Sequence, residues 1–333
     1  MKKMKKYALL LMTTIIVLAL AACGSKNNSS SDTKDSNAAE GKTYKVGITQ
    51  IVEHPSLNQA TKGFKAALKD AGLKVEYQTE IAQGDPSVNT TAANNLVGSG
   101  VDLIFANSTP SAQAVAAATS DIPIVFTSVT DAVGAELVKS MEKPGGNVTG
   151  TVDTHPDAIP NTVKFLSEQL GAKKVGMVFN SGEQNSRVQV DIAKKEAKKA
   201  GITIVEASAS TSAEVKQATE SLVGKVDAFY IITDNTVVSA LESVLDVAND
   251  KKIPVMVGEL DSVARGGLGA YGFNYYDIGY EAGQKAVEIL KNGKKPADIP
   301  VAYPTKLKLE INKTTADKIG VDVKDEWKAE VVK

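Results

Sequence analysis

The chain has 333 residues, 43% hydrophobic and 23% charged, with 38 Lys+Arg against 39 Asp+Glu for a net charge of −1. That length is about twice a usual domain and the composition is that of a packed globule, so two lobes are expected rather than one core or a disordered chain. Balanced charge excludes the basic footprint of a nucleic-acid binder, while two His and one Cys exclude an intrachain disulfide and leave too few ligands for a soft-metal centre; no nucleic acid, no metal and no cofactor are expected.

Lys2, Lys3, Lys5 and Lys6 precede Tyr7–Ala22, an apolar run of 16 residues broken only by Thr13 and Thr14. The run is short of the roughly 20 residues a membrane span needs, and with its basic head and small-residue end it reads as a signal peptide over residues 1–22. Leu20-Ala21-Ala22-Cys23-Gly24 resembles the lipobox of bacterial lipoproteins. That resemblance implies cleavage before Cys23, lipidation of its sulfur, and an extracytoplasmic protein held to the cell membrane by lipid. Cleavage would remove four lysines, leaving 34 positive against 39 negative charges, or −5. Residues 23–41 are rich in Ser, Asn, Asp and Lys without an apolar run, the composition of a flexible tether.

From there the chain repeats itself at a spacing near 129 residues. Lys45-Val46-Gly47-Ile48 recurs as Lys174-Val175-Gly176-Met177, Ala71-Gly72 as Ala200-Gly201, Val101-Asp102 as Val226-Asp227, and Ile122-Pro123-Ile124-Val125 as Ile253-Pro254-Val255-Met256. Asp131 then answers to Asp261. In each half short continuous apolar runs alternate with helix-like segments, the mark of strands covered on both faces. The helices are expected at Leu57–Ala71, Ser87–Ser99 and Ser111–Ala118, then at Arg187–Ala200, Ser212–Val223 and Val237–Asn249.

The fold class is therefore α/β: two doubly wound, Rossmann-like parallel-sheet lobes joined by a hinge. Helix Tyr276–Lys291 and strand Tyr303–Ile311 belong to neither repeat and are expected to cross back between the lobes. Crossings are placed at Gly145–Thr154 and near Ala264–Ala270. The first lobe is then 42–151 with about 268–298, and the second 152–267 with about 299–333.

Ligands of open parallel sheets sit outside the carboxyl ends of the strands, so six polar loops are expected to face one cleft. Candidate ligand-binding residues are Gln50, His54, Pro55 and Leu57, then Asn107, Ser108 and Thr109, then Ser128, Thr130 and Asp131 from the first half. From the second come Asn180, Ser181, Asn185 and Ser186, then Asp234, Asn235 and Thr236, then Glu259 and Asp261. Thr109-Pro110 reads as the cap and first turn of a helix whose free amides suit a carboxylate. A zwitterion's ammonium would take Asp131, Asp234 or Glu259, with Asp131 favoured in the first lobe and Asp234 in the second. Tyr271, Phe273, Tyr275 and Tyr276 crowd one segment and read first as lobe packing, second as a stacking wall. Two His, two Arg and no Gly-rich phosphate loop leave little for catalysis, so no enzyme is expected.

Lipobox, tether and duplicated halves resemble a substrate-binding lipoprotein of an ABC importer. His54-Pro55, Asp102-Leu103-Ile104-Phe105-Ala106, Thr109-Pro110-Ser111-Ala112-Gln113-Ala114, Ile122-Pro123-Ile124-Val125-Phe126 and Pro144-Gly145-Gly146-Asn147-Val148-Thr149-Gly150 stand in the order of the TrpX-like tryptophan/aromatic amino-acid binders. The resemblance covers about Tyr44 to Asn312 and departs at Ala132, where the family commonly has Pro, and at Glu136, where Gly is usual. It implies a type I periplasmic-binding-protein architecture and capture of an aromatic amino acid, tryptophan or phenylalanine favoured. It also implies a monomer that delivers this ligand to an ABC permease and its ATPase. Receptors for a nucleoside or a branched-chain amino acid, and a sensor-partner binding protein, are the alternatives.

Overall fold

Residues 41–333 are described by this computed structural model; the expected signal peptide, Cys23 and tether up to residue 40 lie outside the described residues. The first lobe runs β1 (Thr43–Gln50), α1 (Pro55–Asp70), β2 (Lys74–Ile81), α2 (Pro86–Gly98), β3 (Leu103–Asn107), α3 (Thr109–Ala118), β4 (Ile124–Val129) and β5 (Val148–Val152). The second runs α4 (Ala158–Glu168), β6 (Lys174–Phe179), α5 (Gln184–Lys199), β7 (Thr203–Ser208), α6 (Val215–Glu220), β8 (Ala228–Ile231), α7 (Asn235–Ser239), α8 (Leu241–Asp250), β9 (Val255–Val257), α9 (Leu260–Ala264) and β10 (Gly269–Gly272). Then α10 (Tyr275–Leu290) returns to the first lobe, and β11 (Lys308–Asn312), α11 (Lys313–Ile319) and β12 (Glu330–Val332) finish the second.

Two sheets result, ordered β2-β1-β3-β4-β5 and β12-β11-β10-β9-β8-β6-β7. Every pairing is parallel except β10 with β11. These are the two doubly wound lobes that the apolar runs predict, because strands such as β3 and β8 are buried at every position.

The repeat is physical as well as textual. Asp102 Oδ2 accepts the Lys45 amide at 2.8 Å, and Asp227 Oδ2 accepts the Lys174 amide at 2.8 Å, so each repeated Val-Asp clamps the first strand of its lobe. Gly72 and Gly201 both end a helix in the left-handed region, at φ +73 and +70, where glycine escapes the Cβ penalty.

Several boundaries move. Helices α1 and α2 begin at prolines, whose fixed φ and missing N–H suit the first turn, two residues and one residue before the apolar periodicity begins. The segment expected as one helix over Val237–Asn249 breaks at Ala240 into α7 and α8. Val148–Val152 is the last strand of the first sheet, so the first crossing follows it, between β5 and α4. The segment from about 268 stays in the second sheet through β10 and crosses only at Phe273–Asn274. Residues 299–302 still belong with the first lobe, where Ala302 bridges Thr151, and the third crossing leads from there to β11.

Candidate functional site

The loops after β1, β4 and β5 face those after β6, β8 and β9 across the junction of the lobes. His54, Leu57, Ser128 and Asp153 line the cleft from the first lobe, with Tyr275 from the second crossing. Asn185, Thr233, Asn235, Val238 and Glu259 line it from the second lobe. The space between them is about 10 Å³, room for a single water at most. A larger surface groove of about 470 Å³ runs between α10 and the third crossing, along Tyr276, Tyr280 and Pro304, and includes residues of none of the six predicted loops.

Two carboxyls line the cleft, Asp153 and Glu259. Asp153 is held by the Thr130 hydroxyl at 3.2 Å and by the Tyr275 phenol at 2.8 Å. Burial pushes its pKa up to about 6 despite both hydrogen bonds. Glu259 accepts from the Ser262 hydroxyl at 2.7 Å, and burial pushes it up to about 7. His54 precedes α1, its imidazole driven down to about 3 by burial first and by Arg265 second, so it is neutral. Arg265 itself is tied to Glu242 by two hydrogen bonds, at 2.8 and 2.7 Å.

Three buried polar atoms of lining residues have no partner among the described residues: His54 Nδ1, Ser128 Oγ and Asn185 Oδ1. Ser128 sits at φ +56 at the end of β4, a left-handed conformation that costs a non-glycine residue about 1–2 kcal/mol. Such strain at a cleft is held by the surrounding structure and re-aims the side chain.

Of the residues expected at the site, His54, Leu57, Ser128, Asn185, Asn235 and Glu259 line the cleft. The others stand behind it or away from it. Gln50 and Asn107 brace the first loop: the Asn107 amide donates to Gln50 Oε1 at 3.1 Å and to the Leu57 carbonyl at 2.7 Å. Pro55 is exposed at the start of α1. The cap of α3 is Ser108, at φ +113, rather than Thr109, whose hydroxyl instead accepts the Thr130 amide. Thr130 carries Asp153, and Ser181 pairs with Ser208 on an exposed loop.

The two acids favoured for an ammonium both stand outside the cleft lining. Asp131 caps its own turn through the Gly134 amide at 2.8 Å. Asp234 is fully buried and accepts from the Asn180 amide, the Ser186 hydroxyl and the Val237 amide. Burial and then neighbouring Glu183 push it up to about 7. Glu183 in turn gathers Asn185, Asn235 and Thr236, so this second-lobe cluster holds the lining asparagines in place. Asp261 is partly buried on α9, its pKa raised by burial, and is absent from the cleft lining.

Asp153, Thr233, Val238 and Tyr275 are lining residues that the six loops did not single out as candidates. The signal for Asp153 was its place after a β-branched run, Val148–Val152, at the carboxyl end of a fifth strand. The aromatic cluster divides: Tyr271 packs edge-on to Phe165 in the second lobe, Phe273 stacks on Tyr275 at 5.7 Å, and Tyr276 stacks on Tyr280.

The family profile described as ABC transporter substrate binding protein matches residues 45–332. A curated relative from Clostridioides difficile, named tyrosine-binding protein, is 47% identical over 281 residues, covering 82% of this chain and 80% of the relative. An ABC domain from Streptococcus pneumonia solved in complex with L-Trp superposes with a TM-score of 0.82 at 33% identity, covering 87% of this chain and 100% of that one. A substrate-binding protein with adhesive properties from Clostridium difficile, solved ligand-free and open, is 41% identical with 87% and 99% covered, yet its TM-score is 0.65. The less identical but ligand-bound neighbour superposes better over the same share of the chain, which is what a closed arrangement of the two lobes gives.

Proposed function

Because the chain belongs to the ABC transporter substrate-binding protein family, we propose that it captures an aromatic amino acid between its lobes and hands it to a membrane permease driven by an ATPase. The composition of the cleft wall carries this reading. Two buried carboxyls, and no lysine or arginine among the described lining residues, suit a ligand that brings its own positive charge. The ammonium meets Asp153 and Glu259. The ligand carboxylate takes the Ser128 hydroxyl, and Leu57, Val238 and the neutral His54 ring receive the side chain. Asn185 Oδ1 is an unpaired acceptor suited to a donor at the ligand's tip, a phenol hydroxyl or an indole N–H.

A polar-tipped ring fits these groups better than phenylalanine, since a site built to hydrogen-bond a hydroxyl rejects the analogue lacking it. The relative named for tyrosine and the neighbour holding L-Trp support the same class. A cleft this narrow admits such a ligand only when the lobes part, so capture is an opening and closing of a hinge made by three crossings. The lipobox-like run ending at Cys23 supports attachment to the outer face of the cell membrane.

A thermal-shift panel on residues 41–333, with the twenty amino acids and common nucleosides at millimolar concentration, tests the class. A ligand that binds only the folded state raises the melting point with ln(1 + [L]/Kd). Tyrosine and tryptophan should give the largest shifts. Shifts from nucleosides or branched-chain amino acids alone would replace this reading.

A further inference from the structure

Glu183 precedes α5 yet spends no side-chain oxygen on capping it. Its carboxyl group, in a residue 8% exposed, turns instead toward the first turn of α7 and gathers four donors. Oε1 accepts the Thr236 amide at 3.3 Å and the Thr236 hydroxyl at 3.0 Å. Oε2 accepts the side-chain amides of Asn185 at 3.1 Å and Asn235 at 2.5 Å. Both asparagines line the cleft from the second lobe. An amide has a donor end and an acceptor end, and a carboxylate can take only the donor end. The NH2 groups of both asparagines therefore face Glu183. For Asn185 a second bond fixes the same orientation: its nitrogen also reaches Ser186 Oγ at 3.3 Å, and the Ser186 hydrogen is given to Asp234 at 2.6 Å. Both amide protons are thus taken, and Oδ1, in a residue 2% exposed, is left a buried acceptor with no partner among the described residues. Turning this amide over would set Oδ1 against the carboxylate, a repulsion that buried surroundings strengthen.

We propose that Glu183 is the positioning residue that sets selectivity at the tip of the ligand's ring: by holding Asn185 with its oxygen turned to the ligand, it admits aromatic amino acids whose tip donates a hydrogen and disfavours those whose tip only accepts one. The proposal rests on the reading of the cleft as an aromatic amino-acid site and names what selects among such ligands. A free asparagine would suit either kind of tip, because its amide turns over to match. Asn185, bound to a group with only acceptors, cannot follow, so a tip without hydrogen meets lone pairs rather than N–H. Glutamine at this position would restore the freedom, since its own amide can present either end to Asn185.

Isothermal titration of L-tyrosine and of 4-fluoro-L-phenylalanine into refolded, ligand-free protein is the test, because fluorine stands in the place of the hydroxyl and carries lone pairs but no hydrogen. The wild type should prefer tyrosine by about tenfold or more, the loss expected when a buried acceptor goes unpaired. Glu183→Gln should bind tyrosine more weakly and the fluorinated ligand more tightly, narrowing the preference to about threefold or less. A merely structural Glu183 would weaken both ligands alike in the variant. That unchanged ratio would overturn the proposal, as would a wild type that binds the two ligands equally. Melting curves identify a variant that fails to fold. In that event nuclear Overhauser contacts of the Asn185 side-chain NH2 in the wild-type tyrosine complex decide: contacts to the Glu183 methylenes are expected, and contacts to the tyrosine ring instead would overturn the assignment. Wild-type protein that binds neither ligand would overturn the aromatic reading itself, whereas an unchanged ratio removes only the role of Glu183.

Discussion

Proton and ammonium compete for the same two oxygens pairs in the cleft. Asp153, pushed up to about 6, and Glu259, pushed up to about 7, both bind protons more tightly in the folded ligand-free protein than an exposed acid would. Each must give up its proton before it can pair with a ligand cation. Affinity for the amino acid should therefore rise from pH 5 to pH 7.5 and level off above, falling about tenfold for each pH unit per proton that has to be displaced. Titrations in that range read it directly, and a flat profile would remove both acids from the ammonium site. Asp153→Asn should weaken binding by about 2 kcal/mol or more, since a buried ammonium would lose its charged partner. Asp131→Asn, which touches only its own turn, should leave binding unchanged. Sequence alone favoured Asp131 and Asp234 because acids at strand ends look alike in one dimension; the structure lines the cleft with Asp153 and Glu259 and with neither of those two. Glu136 tells the reverse story. It stands where the family commonly has glycine, and its φ of +60 explains why glycine is the usual choice. Glu136→Gly should be neutral or stabilising by up to about 1 kcal/mol in chemical denaturation, and Glu136→Val should destabilise.

At the level of elements, the return of α10 to the first lobe depends on close approach to α1. A Cβ on Gly279 would overlap the Ala60 carbonyl, one on Gly63 would overlap the Tyr276 carbonyl, and one on Gly283 would come within 2.6 Å of the Phe64 carbonyl. Backbone cannot yield there as a side-chain tip would. Gly279→Ala should cost ~3 kcal/mol, read as a lowered denaturation midpoint. Gly98, at the end of α2 with open space around it and no positive φ, gives the contrast: Gly98→Ala should stabilise by about 0.5–1 kcal/mol. Elements with a repeat were legible in the sequence, since apolar runs and Val-Asp pairs appear twice and each copy supports the other. Elements outside the repeat were less so. β5 read as a crossing because Thr149, Gly150 and Thr151 look like loop residues, although all three are buried between the sheet and α10 or the 299–302 segment.

For the whole molecule, the two-lobe plan follows from length and alternation, while the cleft's content depends on which residues the crossings deliver. Asp153 and Tyr275 both come from crossings, and a crossing has no periodicity to announce it. Closure is likewise invisible in sequence: it appears in the narrowness of the cleft and in the better superposition on the L-Trp complex than on the open relative. The central claim is that an aromatic amino acid is held between Asp153 and Glu259. Isothermal titration of L-tyrosine into refolded, ligand-free protein and into the Asp153→Asn/Glu259→Gln double variant tests it most directly. The account predicts saturable one-to-one binding to the wild type and a loss of at least a hundredfold in the double variant, with both proteins equally folded. Equal affinity in the two proteins, or no heat with the wild type under conditions where another solute binds, would contradict it.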